Sequence, residues 1–87
     1  MTAEHILDVS QLEPCEPLER TLAALARLPQ GEYLRVLHRM EPHPLYPILA
    51  QQGFNWLTRQ GEKTPIEILI WHKDDLEAEQ QVNTCVK

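Results

Sequence analysis

The sequence predicts an α/β protein: a two-layer sandwich in which a mixed four-stranded sheet carries two helices on one face, in the order β-α-β-α-β-β. Three observations predict it. Leu18, Leu22 and Leu25 recur at helical spacing, other segments alternate apolar and polar residues at period two, and prolines and glycines punctuate the joins. Eighty-seven residues of 10.1 kDa fit one domain around one core. Apolar residues at 43% and charged residues at 24% are the proportions of a folded globule rather than of a disordered chain.

Residues 5–9, His-Ile-Leu-Asp-Val, are a short apolar stretch before the breakers Pro14 and Pro17, and read as a buried strand. Pro17 suits the first turn of a helix, where its missing N–H has no partner to lose. Leu18, Leu22 and Leu25 then give that helix an apolar stripe, with Glu19, Arg20 and Arg27 on its other face, until Pro29-Gln30-Gly31 stops it after Leu28. Residues 32–39 predict the second strand, with Leu34 and Val36 facing the helices and Tyr33, Arg35, Leu37 and Arg39 facing away. Pro42, Pro44 and Pro47 stiffen the entry into a short second helix at Ile48 and Leu49, which Gly53 closes. Residues 54–60 alternate Phe54, Trp56 and Thr58 against Asn55, Leu57 and Arg59, and Ile66, Ile68 and Ile70 alternate with Glu67, Leu69 and Trp71. The short turn Gly61-Glu62-Lys63-Thr64-Pro65 makes these two strands an antiparallel hairpin.

A right-handed crossover through the first helix makes the first two strands parallel, so the loops leaving them emerge at one edge of the sheet, where open α/β sheets bind ligands. Cys15 and His43 lie in those loops. The domain is expected to span residues 1–73. Residues 74–87 have little to bury and are expected to form a flexible tail, with Cys85 a bystander in it.

A net charge of -5, with only eight scattered Lys and Arg residues, argues against nucleic acid as a partner, because that affinity rests on cations displacing counterions from phosphates. No apolar run approaches the roughly 20 residues of a membrane span, and the opening Met-Thr-Ala-Glu-His lacks a basic leader, so the chain is expected in the cytoplasm without a membrane partner. Two cysteines are too few for a disulfide framework, and the four histidines, His5, His38, His43 and His72, match no zinc spacing. No cofactor and no metal site are expected. His38 and His72 end their strands on the helix side, where a half-buried, hydrogen-bonded imidazole is the plain account.

The string Leu7-Asp8-Val9-Ser10-Gln11-Leu12-Glu13-Pro14-Cys15-Glu16-Pro17-Leu18 resembles the opening of the TusA/SirA-like family, small sulfur carriers with the same order of strands and helices. Leu28-Pro29-Gln30-Gly31-Glu32 is similar to that family's turn into its second strand. Glu16-Pro17-Leu18-Glu19 and Glu41-Pro42-His43-Pro44-Leu45-Tyr46 look more closely like an uncharacterised bacterial branch of the superfamily, a domain of unknown function. The likeness runs from about Ile6 to His72 and implies a TusA-like fold. The carriers place a persulfide-forming cysteine in a Cys-Pro-x-Pro motif at the first helix. This chain reads Pro14-Cys15-Glu16-Pro17, so the thiol stands one residue out of register. The uncharacterised branch commonly lacks that cysteine and carries a histidine near position 40, where this chain has Met40.

Three functions are therefore expected in order. The first is a non-enzymatic module, linked by the resemblance to sulfur and redox metabolism, that binds a protein partner or small ligand. Pro14, Glu16, Pro17, Glu41, Pro42 and His43 form its loop edge. The sheet face away from the helices, with Tyr33, Leu37 and Trp71 among arginines, is its second contact surface and a candidate homodimer interface. The second is a sulfur carrier in which Cys15, at a helix N-terminus that favours the thiolate, is the reactive residue. The third is a metal-binding protein using Cys15, His43 and Glu41.

Overall fold

The computed structural model describes residues 4–11 and 16–85, of Glu16 the backbone alone. Its elements are β1 (Glu4–Asp8), α1 (Glu16–Ala26), β2 (Tyr33–His38), α2 (Leu45–Gln51), β3 (Phe54–Gln60), β4 (Ile66–His72) and α3 (Leu76–Cys85). The sheet runs β1-β2-β4-β3, with β1 parallel to β2 and the other pairs antiparallel. The parallel first pair and the closing hairpin are those that the chain order demands.

Period-two alternation sorts the side chains. Leu34 and Val36 of β2 and Ile68 and Ile70 of β4 face α1 and α2, where they are buried with Leu25, Leu45 and Leu49. Each such burial contributes roughly 1.5–3 kcal/mol. At the end of α2, Gly53 takes φ +84, the left-handed conformation of a helix C-terminus, and its carbonyl accepts the Lys73 N–H at 2.9 Å. Tyr46 stacks on Trp56 with ring centroids 5.5 Å apart, and its hydroxyl lies 2.7 Å from that of Thr58. These contacts fix α2 on β3. No described helix is long and apolar enough to cross a membrane.

The C-terminal segment departs from expectation. Instead of a tail with little to bury, residues 76–85 form α3, which packs on the sheet face opposite α1 and α2. Ala78 and Val82 are fully buried against Tyr33, Leu69 and Trp71, with Leu57 and Cys85 beside them. The described residues thus form three helices, two on one face of the sheet and one on the other. Tyr33, Leu37 and Trp71, expected on an open contact surface, are buried. The physical reason is a narrow stripe. Ala78, Val82 and Cys85 fall at i, i+4 and i+7, and the small side chains let the helix approach the sheet closely.

Asp75 starts this helix and ties it to the far side of the fold. Its Oδ1 accepts the Ala78 N–H at 3.1 Å, an N-cap bond, and its Oδ2 accepts the Gly31 N–H at 2.5 Å. Gly31 stands in the α1–β2 turn at φ +85, a left-handed conformation that favours glycine. The Gly31 N–H, followed by the Ala78 N–H, holds the buried carboxyl below the usual aspartate range of 3.8. Asp75→Ala should therefore lower unfolding stability by about 2–3 kcal/mol in urea titrations, because two backbone donors lose their acceptor. A depressed folded-state value means that this contribution is present above pH 3.8 and lost as pH falls through the lower folded value. A loss below about 0.5 kcal/mol would show that α3 is not anchored this way.

Candidate functional site

The parallel pairing of β1 and β2 sends α1 across the sheet so that its first turn lies beside the carboxyl end of β2. The β2–α2 segment leaves from that same end. Between them is a cavity of about 470 Å³. Pro17, Leu18 and Thr21 of α1 form one wall; Met40, Pro42, Pro44 and Leu45 form the other; His38 ends β2 in the cavity lining, and Glu19 and Glu41 add carboxylates. The segment's path is set by backbone bonds as well as by its prolines: His43 N–H donates to the Glu41 carbonyl at 3.1 Å, and Leu45 N–H to that of Pro42 at 2.9 Å.

His38 is the polar centre of this space. It is 7% exposed, and its Nδ1 accepts the Met40 backbone N–H at 3.3 Å. In the neutral ring the proton therefore sits on Nε2, which has no hydrogen-bond partner among the described residues. Burial, and secondarily the charge of Arg39, lowers the imidazole pKa below 6.5, so the ring is neutral at physiological pH. Thr21 supplies no free donor, because its hydroxyl donates to the Pro17 carbonyl at 2.7 Å. Among the described residues the lining thus presents apolar walls, the His38 N–H donor and carboxylates.

The structure brings Pro17, Glu41 and Pro42 together in this lining. His43 stays out of it: its side chain is 78% exposed and its Nδ1 stands 3.9 Å from Glu41 Oε2. Pro14, Cys15 and the side chain of Glu16 lie outside the described residues. Leu18, Thr21, His38, Met40, Pro44 and Leu45 are site residues that sequence reasoning did not assemble. For His38 a signal existed, since it ends a central strand on the helix side at the edge where such sheets bind ligands. His72, by contrast, is a satisfied imidazole, its Nε2 lying 3.3 Å from the Leu28 carbonyl.

Two other places gather polar chemistry. A shallower concavity of about 390 Å³ is lined by polar and charged residues, among them Gln30, His72, Lys73 and Asp75. Under α3, Glu67 is buried, 3.1 Å from Arg59, while Arg35 pairs with Glu4 at 2.8 Å. Cys85 is not a bystander in a tail: its Sγ accepts a bond from Arg35 Nη2 at 2.8 Å, with Arg59 Nη2 at 3.8 Å. Burial, reinforced by Glu4, raises the Tyr33 phenol pKa. No group of three His, Cys, Asp or Glu side chains able to hold a metal occurs among the described residues.

His38 makes a signed prediction. A histidine whose folded-state pKa is depressed contributes no penalty above its unfolded value of 6.5, and the folded state loses stability as pH falls from there toward the lower folded value. Urea midpoints of the wild type should decline across that window, and His38→Gln should flatten the decline. An unchanged slope in the variant would show that His38 is not held neutral by its burial.

No curated protein and no solved structure is a match for the chain. The family model for an uncharacterized conserved protein, DUF2249, matches residues 6–72, which take in β1 through β4 and every described wall of the cavity. The chain belongs to the DUF2249 family of uncharacterized conserved proteins.

Proposed function

We propose that this protein is a binding module of the TusA-like kind, one that holds a small ligand in the cavity between the first turn of α1 and the β2–α2 segment. The observation that carries the reading is the cavity itself: about 470 Å³, walled by leucine, methionine and proline, with the nearly buried His38 in its lining. Ligand sites have this volume and this pattern, an apolar surround with few polar groups that fix orientation. Prolines on both sides of the space keep it formed without a ligand, which reduces the ordering cost of binding.

The same atoms favour holding over chemistry. His38 Nδ1 is occupied by a backbone donor, which leaves Nε2–H to donate and not to abstract a proton. Among the described residues no carboxylate is bonded to the ring, and the Thr21 hydroxyl is committed to Pro17. The uncharacterised branch that the sequence resembles carries a histidine near position 40, and here His38 supplies an imidazole two residues earlier. A role in sulfur and redox metabolism follows from that resemblance alone. The sulfur-carrier and metal readings both need Cys15, which lies outside the described residues, and no described contact favours either.

A fragment screen followed by amide NMR tests the reading. Small aromatic probes should shift the backbone signals of Leu18, Thr21, His38, Met40 and Leu45 together, and Leu18→Trp, which fills the space, should abolish those shifts while the remainder of the spectrum stays folded. Probes that gather under α3 or around His72, leaving these five signals unmoved, would refute it.

A further inference from the structure

We infer that the occupant of the cavity is a small basic molecule with an apolar body, a hydrogen-bond acceptor that meets His38 Nε2–H, and a protonated amine that lies toward Glu19 and Glu41. The inference rests on the binding function proposed above and names its ligand class.

The walls set the body. Leu18, Met40, Pro42, Pro44 and Leu45 offer carbon surface, so a ring or short aliphatic group gains from burial there. His38 sets the acceptor. The residue is more than nine-tenths buried, its Nδ1 is taken by the Met40 N–H, and its Nε2–H has no partner among the described residues, so that N–H is the donor a ligand oxygen or nitrogen can accept from.

Charge sets the remaining group. The described lining holds two carboxylates and neither Lys nor Arg. Arg39, next to His38, is exposed, and the neutral imidazole adds no positive charge. The first turn of α1 works in the other direction, with roughly half a positive charge from its unpaired N–H groups. The carboxylates of Glu19 and Glu41, one full charge each, outweigh it. An anionic ligand would meet net repulsion, and a cation would find carboxylates within reach of a ring seated against His38.

Three probes of one shape separate the possibilities: tyramine, its uncharged analogue tyrosol, and the anion 3-(4-hydroxyphenyl)propionate, each titrated into the full chain and followed through the amides of Leu18, Thr21, His38, Met40 and Leu45. Tyramine should bind at least fivefold tighter than the anion, with tyrosol between them, as expected for one or two partly exposed charge pairs. Glu19→Gln combined with Glu41→Gln should bring tyramine down to the affinity of tyrosol and leave tyrosol unchanged. If the anion binds at the same amides as well as or better than tyramine, the ligand class is wrong and the cavity remains a binding site. If none of the three moves those amides, the binding reading falls with it.

Discussion

The architecture depends on the parallel pairing of β1 with β2. A parallel neighbour cannot be reached through a tight turn, so the chain must cross the sheet, and the crossover is α1. The pairing continues past the strand, where the Val9 N–H donates to the Leu37 carbonyl at 3.0 Å. This holds the end of β1 level with the end of β2, one residue short of His38. From that constraint the rest follows: the first turn of α1 must stand near the carboxyl end of β2, and the chain leaving β2 must turn away beside it. The cavity is the space these two departures leave, and the prolines prevent it from collapsing.

The opposite face is organised by charge as much as by apolar contact. Glu67 is buried beside the β3–β4 turn and is compensated by Arg59, with Arg35 3.9 Å away. A carboxylate removed from water survives only with such partners. Ala78 and Val82 cover the neighbouring Leu69 and Trp71, and Asp75 fastens the helix to the turn at Gly31. The helix packs on β2 and β4, the two central strands, on the face away from the cavity.

Much of this order was legible in the sequence, because strands and helices leave periodic marks. Leu18, Leu22 and Leu25 marked α1, the alternation from Phe54 to Gln60 marked β3 to the residue, and Gly53 marked the end of α2. The third helix was not read because its apolar stripe is three small residues among Glu77, Glu79, Gln80 and Gln81. Its stability comes from the sheet surface it covers and from a capping aspartate, and neither has a periodic signature. Without α3, Tyr33 and Trp71 looked like an exposed patch. The site was half legible. Pro17, Glu41 and Pro42 read as one loop edge and do share the cavity lining, but His38 reads like any strand-end histidine, since its place in that lining exists only once the β2–α2 segment and the first turn of α1 are set around the ring.

We propose the cavity beside His38 as a ligand site. A crystal structure of the chain grown with tyramine tests it most directly. The account predicts the ring between Leu18 and Leu45, an oxygen within hydrogen-bond distance of His38 Nε2, and the ammonium on the side of Glu19 and Glu41. A cavity closed by its own side chains, with the amine bound elsewhere or nowhere, would contradict it.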